Sequence, residues 1–125
     1  MESSIRLTCD VRSVAEARHF VARLLDRWDG SIDLSDVELL TSEVVTNAVI
    51  HGGSEVVLAV RYDLTTSTVT VEVHDEGSNR PSQPAPDPHA TSGRGLAIVG
   101  EVADAWGVRD VPGDGKVVWF AVRGA

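Results

Sequence analysis

The sequence contains one cysteine, Cys9, in 125 residues. That scarcity excludes an internal disulfide framework and a zinc site built from several cysteines, and a reducing compartment is its simplest setting. No apolar run approaches the roughly 18 residues that a membrane-spanning helix needs. The opening stretch, MESSIRLTCD, has neither a basic leader nor an apolar segment of signal-peptide type. Basic side chains are also few: 11 Lys and Arg stand against 19 Asp and Glu, for a formal charge of -8. Such a balance works against general binding to nucleic acid or to an anionic membrane, both of which need a basic surface. What is present is ordinary globular material, 42% hydrophobic and 24% charged. A chain of this length fits one domain able to bury roughly two-thirds of its unfolded surface. The expectation is a single acidic, cytoplasmic domain over residues 1–125.

No internal repeat is visible, and one segment is compositionally biased. Residues 78–93, SNRPSQPAPDPHATSG, hold four of the five prolines and no large apolar side chain. Proline fixes its own backbone and disfavours helix in the residue before it, so this stretch reads as a loop. Two readings of a loop this long are open, a lid or binding loop and an idle surface insertion. Ahead of it the chain reads strand, helix, helix, strand, strand. Ile5, Leu7 and Cys9 alternate with polar residues. Ser13 with Glu16 has capping-box spacing, and Val14, Ala17, Val21, Leu24 and Trp28 then recur at helical intervals up to Asp29-Gly30. Ser35 with Glu38 opens a second helix that runs to His51 and stops at Gly52-Gly53. Val56, Leu58, Val60 and Tyr62 alternate, as do Val69, Val71 and Val73 beyond the turn Thr65-Thr66-Ser67, which predicts a hairpin. After the loop come a helix from near Gly95, a strand from Trp106 to Asp110, a turn at Pro112–Gly115 and a last strand from Lys116 to Arg123. Grouped helices and hairpin-linked strands predict an α+β, two-layer α/β sandwich. Its sheet should be mixed, mainly antiparallel, and of about five strands with the helices on one face.

The second helix is the most informative. Leu39, Leu40, Val44, Val45, Ala48, Val49 and Ile50 leave it no wide polar side, so most of its circumference should be buried. Through this apolar surface runs a stripe of Glu43, Asn47 and His51, spaced by four. Glu43 and Asn47 lie about 6 Å apart along the axis and could address one bound group. An unpaired polar group in such surroundings is costly, so each needs a partner. A ligand, a solvated seam and an internal hydrogen-bonded pair all satisfy that need. Asp75 continues the phase of Val69, Val71 and Val73, which points its carboxylate to the apolar side of the sheet. It either accepts a hydrogen bond from an amine deep in a pocket or makes an Asx turn at the strand end. Gly77 follows, where the chain can approach a ligand closely. In Ser92-Gly93-Arg94-Gly95-Leu96, two glycines lead into a helix whose N-terminal amides favour an anion. Neither a Rossmann fingerprint nor a Walker loop is present, because the glycine spacings are wrong. A polar stripe for a metal and a proton, an acid for an amine and a glycine nest for phosphate together match the parts of Mg-ATP.

These motifs resemble those of the GHKL superfamily, the Bergerat-fold ATP-binding domain of gyrase, mismatch-repair, chaperone and histidine-kinase ATPases. The resemblance covers roughly residues 10–122. Glu43-x-x-x-Asn47-x-x-x-His51 is similar to the N box, Asp75-x-Gly77 to the first glycine box, and Gly93-Arg94-Gly95-Leu96 to the second. The short length, TSEVVTNAVIHG and the ending GKVVWFAV resemble stand-alone anti-sigma factor serine/threonine kinases. The resemblance implies that Asn47 ligates Mg²⁺ and Asp75 contacts the adenine amine. His51, Gly77 and Leu96 then belong to the nucleotide site, residues 78–93 form an ATP lid, and Gly93 and Gly95 frame the phosphates. Mg²⁺ keeps much of its water and phosphate shell, so one amide oxygen suffices. Glu43 would orient the attacking hydroxyl first and accept its proton as transfer proceeds. Arg94 either offsets γ-phosphate charge or points to solvent.

The implied function is an ATP-dependent kinase that sequesters a sigma factor and phosphorylates an anti-anti-sigma (STAS-type) protein. The alternative is an ATP-dependent regulatory binding module without phosphotransfer. No direct nucleic-acid or membrane partner is expected, and a homodimer through faces near the first helix and first strand is left open. The sequence departs from the family at Val117, where a Thr near the adenine is common, and in its proline-rich lid. His19, His74 and His89 lack ligand-like spacing and read as surface or structural residues. Trp28, Trp106 and Trp119 read as core or interface residues.

Overall fold

A computed structural model describes residues 1–28, 32–51, 55–75, 98–111 and 115–124. Its strands are β1 (Glu2–Thr8), β2 (Glu55–Asp63), β3 (Thr68–Asp75), β4 (Ala105–Asp110) and β5 (Lys116–Arg123). They form one sheet in the order β1-β2-β3-β5-β4, and every neighbouring pair is antiparallel. Helices α1 (Arg12–Trp28) and α2 (Leu34–His51) pack on each other and on one side of the sheet, with a short helical turn at residues 98–102. The architecture is the expected α+β sandwich. None of the described helices is long and apolar enough to cross a membrane.

The alternation of the strands explains the layering. Val56, Leu58, Val60 and Tyr62 of β2, Val69, Val71 and Val73 of β3, and Val118, Phe120 and Val122 of β5 are all buried under the helices. Ala17, Val21, Leu24 and Leu25 of α1 and Val37, Leu40, Val44, Val45 and Ala48 of α2 close the core from above. Burial of each such Val, Leu or Phe side chain contributes about 1.5–3 kcal/mol. Trp28 stacks on Tyr62 with centroids 6.5 Å apart, which anchors the end of α1 to β2. The opposite sheet face carries Arg6 paired with Glu55 at 2.9 Å, and Glu72 between Arg61 and Arg109 at 3.8 and 3.3 Å. Pairs this exposed add little stability, but they keep that face solvated. Trp119 lies on the same face across Gly107, where an added Cβ would stand 2.8 Å from the indole nitrogen. Glycine is therefore required there for Trp119 to lie flat.

The helix starts differ from the capping boxes read in the sequence. Asp10 accepts from the Arg12 amide at 2.9 Å through its side chain and from the Ser13 amide at 2.9 Å through its carbonyl. Ser13 is already helical, and its hydroxyl donates back to the Thr8 carbonyl at 2.7 Å. Asp33 in turn accepts from the Asp36 amide at 3.2 Å, so it, not Ser35, caps α2. An Asp upstream reached the orphan amides first, and each serine was left inside the first turn. The expected helix stops at Asp29-Gly30 and Gly52-Gly53 lie outside the described residues.

Candidate functional site

Two antiparallel steps set β1 and β3 running in the same direction. Their C-terminal ends therefore share one end of the sheet with the N-terminal ends of β2 and β5. A row of register partners, Leu7, Val56, Asp75 and Lys116, crosses the sheet there. The chain reaches this end from α2, whose last residue is His51, and then enters β2. Asp75 is 4% exposed, on the same side as Val69, Val71 and Val73. The period of two thus carries an acid into the helix-covered layer, as the sequence indicated.

Asn47 sits one turn before the end of α2 and is 6% exposed. Among the described residues its buried Oδ1 has no hydrogen-bond partner. The same holds for the hydroxyl of Thr41, which is fully buried. Leaving such an atom unsatisfied costs about 1–3 kcal/mol. Glu43 is only partly buried, and among the described residues it has no ion pair or hydrogen bond. The expectation that most of α2 is buried needs correction. Leu39 is 42% and Ile50 54% exposed, and by helical spacing both share the side of Glu43. Among the described residues, helix α1 and the sheet cover two sides of α2, and the third is open along Leu39, Glu43 and Ile50. Asn47 lies at the edge between the open and packed sides.

This donor set suits a hard cation. Among the described residues no group of three or more His, Cys, Asp or Glu side chains converges. A single uncharged amide oxygen is the ligand that a largely water- and phosphate-coordinated Mg²⁺ accepts. His19 is exposed and His74 lies on the solvated sheet face beside Val57 and Val117. His51 closes α2, but its side chain falls outside what the structure describes. Gly77, Gly93, Arg94, Gly95 and Leu96, together with residues 78–93 and His89, also lie outside the described residues.

The register corrects one further expectation. Val117 is paired with His74, not with Asp75, so its side chain is on the face opposite to the acid. The residue of β5 directly opposite Asp75 is Lys116, and Val118, the partner of Val73, follows on the same face. A shift of one residue reverses the face in any strand. A threonine hydroxyl at 117 would therefore not share the face of Asp75.

Two residues near the site were not picked out as functional in the sequence. Cys9 falls in phase with Ile5 and Leu7, and its thiol donates to the Ala48 carbonyl at 3.8 Å. Its phase was visible, but nothing local showed that the chain beyond β1 turns toward α2. Burial, and secondarily the Asp75 carboxylate, raise the Cys9 thiol above its ordinary pKa. Thr41, among apolar neighbours, carries no sequence signal that distinguishes it from a helix-surface threonine.

The sheet is antiparallel and backed by paired helices, with a buried amide on one helix and a buried acid at a strand end. A sequence profile of the histidine kinase-like ATPase domain matches residues 7–122, and the chain belongs to that GHKL family. It is similar to an anti-sigma F factor of Pasteuria penetrans, 30% identical over 117 residues, which is 83% of this chain and 78% of that protein. It is also similar to an anti-sigma F factor of Clostridium botulinum (strain Eklund 17B / Type B). That identity is 37% over 67 residues, covering 50% of this chain and 47% of the relative.

Proposed function

We propose that the chain binds Mg-ATP, sequesters a sigma factor and transfers the γ-phosphoryl group to a serine or threonine of an anti-anti-sigma (STAS-type) protein. The observation that carries this reading is the buried, unpartnered Oδ1 of Asn47, one helical turn from Glu43 and near the strand end that holds Asp75. A fold retains such an atom at a cost in stability where a ligand completes it. The names of the two anti-sigma relatives supply the partner class.

In this reading the side chains have separate tasks. Asp75 accepts a hydrogen bond from the exocyclic amine of adenine, in a layer where competing water is scarce. Asn47 offers its amide oxygen to Mg²⁺, which when bound neutralises phosphate charge. Glu43, on the open side of α2, meets a hydroxyl presented by a protein partner. It orients that hydroxyl, whose oxygen bonds to the γ-phosphorus as the bond from γ-phosphorus to the bridging oxygen breaks. The hydroxyl proton passes to the Glu43 carboxylate as bonding proceeds. Gly77, Gly93, Gly95, Arg94, Leu96 and His51 carry the nucleotide-site roles that their motif positions imply.

The test is incubation of the full chain with γ-labelled ATP and an anti-anti-sigma protein that binds it. The expected result is label on one serine or threonine of the partner. Glu43→Gln should lower the transfer rate by a factor of about 100 or more while ATP affinity is kept. Nucleotide and partner binding without any transfer would replace this reading by the regulatory binding module. Failure to capture a sigma factor from a panel of purified ones would remove the sequestration part.

A further inference from the structure

Cys9 is a nucleophilic side chain beside this site to which the proposed function gives no task. It is a free, partly buried thiol just beyond β1. Its sulfur touches the carbonyl of Ala48, the residue next to Asn47. On the other side, Leu7 in β1 begins the register row that ends through Val56 at Asp75, and Cys9 lies one pleat beyond that row. The Asp75 carboxylate contributes to the raised thiol pKa, so its charge is felt at the sulfur. The thiol therefore lies against the backbone of α2 beside Asn47, at the end of the sheet that also holds the buried acid. An independent sign of a ligand is Asn47 itself, 6% exposed with an unpartnered Oδ1.

We propose that Cys9 forms a wall of the base-binding end of the site, where a bound purine shields its thiol and a bulky group on the thiol excludes the purine. This rests on the nucleotide-binding reading of Asn47 and Asp75. A polarizable sulfur packs favourably against a flat ring, whereas a serine hydroxyl in that place would seek a hydrogen bond instead. Cys9 is thus a specificity-determining contact for the base and a point at which covalent chemistry could switch nucleotide binding off.

The experiment uses the full chain and N-ethylmaleimide, whose double bond takes the sulfur on one carbon and the thiol proton on the other. With one cysteine in the sequence, every adduct reports Cys9. Calorimetry with Mg-ATP is run first, on unmodified protein. At nucleotide ten times its dissociation constant, alkylation should slow by about tenfold. Mg-tripolyphosphate, which has the phosphates but no base, should leave the rate unchanged. Alkylated protein, shown folded by circular dichroism, should bind Mg-ATP at least about tenfold more weakly. Cys9→Ser protein, whatever its starting affinity, should bind Mg-ATP equally before and after the same treatment. Mg-ATP that binds without slowing alkylation overturns the assignment, as does protection by tripolyphosphate or normal affinity in the adduct. If the adduct unfolds, the protection rates alone decide. Absence of any calorimetric binding would instead overturn the nucleotide reading, and this inference with it.

Discussion

Helices α1 and α2 lie side by side on one sheet, yet they treat buried polar atoms in opposite ways. In α1 the buried polar residue is Ser13, and its hydroxyl is satisfied at 2.7 Å by the Thr8 carbonyl. In α2 the buried polar residues are Thr41 and Asn47, and neither Thr41 Oγ1 nor Asn47 Oδ1 has a partner. The outward sides differ in the same sense. Arg23, Asp26 and Arg27 cover the exposed side of α1, whereas α2 exposes Leu39 and Ile50 on either side of Glu43. A helix that only stabilises a fold settles its polar groups and faces water with charge. A helix that also binds something carries groups the fold alone does not complete.

The two unpartnered atoms of α2 are not equivalent. Asn47 follows Glu43 by four residues and borders the open side of the helix. Thr41 precedes Asn47 by six residues, which turns it about a third of a revolution away, toward the packed side. In the proposed reading only the first meets a ligand, and substitutions should separate them.

The largest effect is expected at Asn47. Asn47→Ala should weaken Mg-ATP binding by a factor of about 100, near 3 kcal/mol, with the nucleotide-free fold intact. Calorimetry checks it, and an affinity within threefold of the original would take Asn47 out of the site. Thr41→Val keeps the shape and removes the unsatisfied hydroxyl. It should raise unfolding stability by about 1–2 kcal/mol in urea titrations and leave nucleotide affinity alone. A loss of stability there would mean that the hydroxyl is satisfied in solution. Ser13→Ala in α1 should do the reverse and cost about 1 kcal/mol. Equal signs for Thr41→Val and Ser13→Ala would erase the contrast between the helices.

The smallest effect concerns the start of α1. The Arg12 amide, and then its guanidinium, lower the Asp10 carboxyl below its usual pKa. A carboxyl that is more acidic when folded adds stability above its unfolded-state pKa. That contribution is lost as pH falls through the lower folded-state value. Acid titration of unfolding should show a slight extra loss in this window, absent in Asp10→Asn. An unchanged titration would mean that Asp10 does not hold the helix start.

These features were unequally legible in the sequence. Asp75 could be placed because strand alternation is strict, and three valines ahead of it fixed the face. Glu43 and Asn47 could be placed on one stripe because helical spacing is equally strict. Val117 was misplaced because motif resemblance located it to within one residue, and in a strand one residue is the difference between the two faces. The helix caps were misread because S-x-x-E spacing cannot show that an aspartate two or three residues upstream captures the amides first. Leu39 and Ile50 look like core in composition; only the packing shows that α1 and the sheet leave one side of α2 uncovered. Cys9 depended on where the chain turns after β1, and no local pattern encodes that path.

The most direct measurement is a crystal structure of the chain with Mg²⁺ and a non-hydrolysable ATP analogue. Asn47 Oδ1 is expected in the metal shell at about 2.0–2.1 Å, with the exocyclic amine of adenine bonded to the Asp75 carboxylate. A nucleotide bound away from both groups, with Oδ1 still lacking a partner, would contradict that expectation.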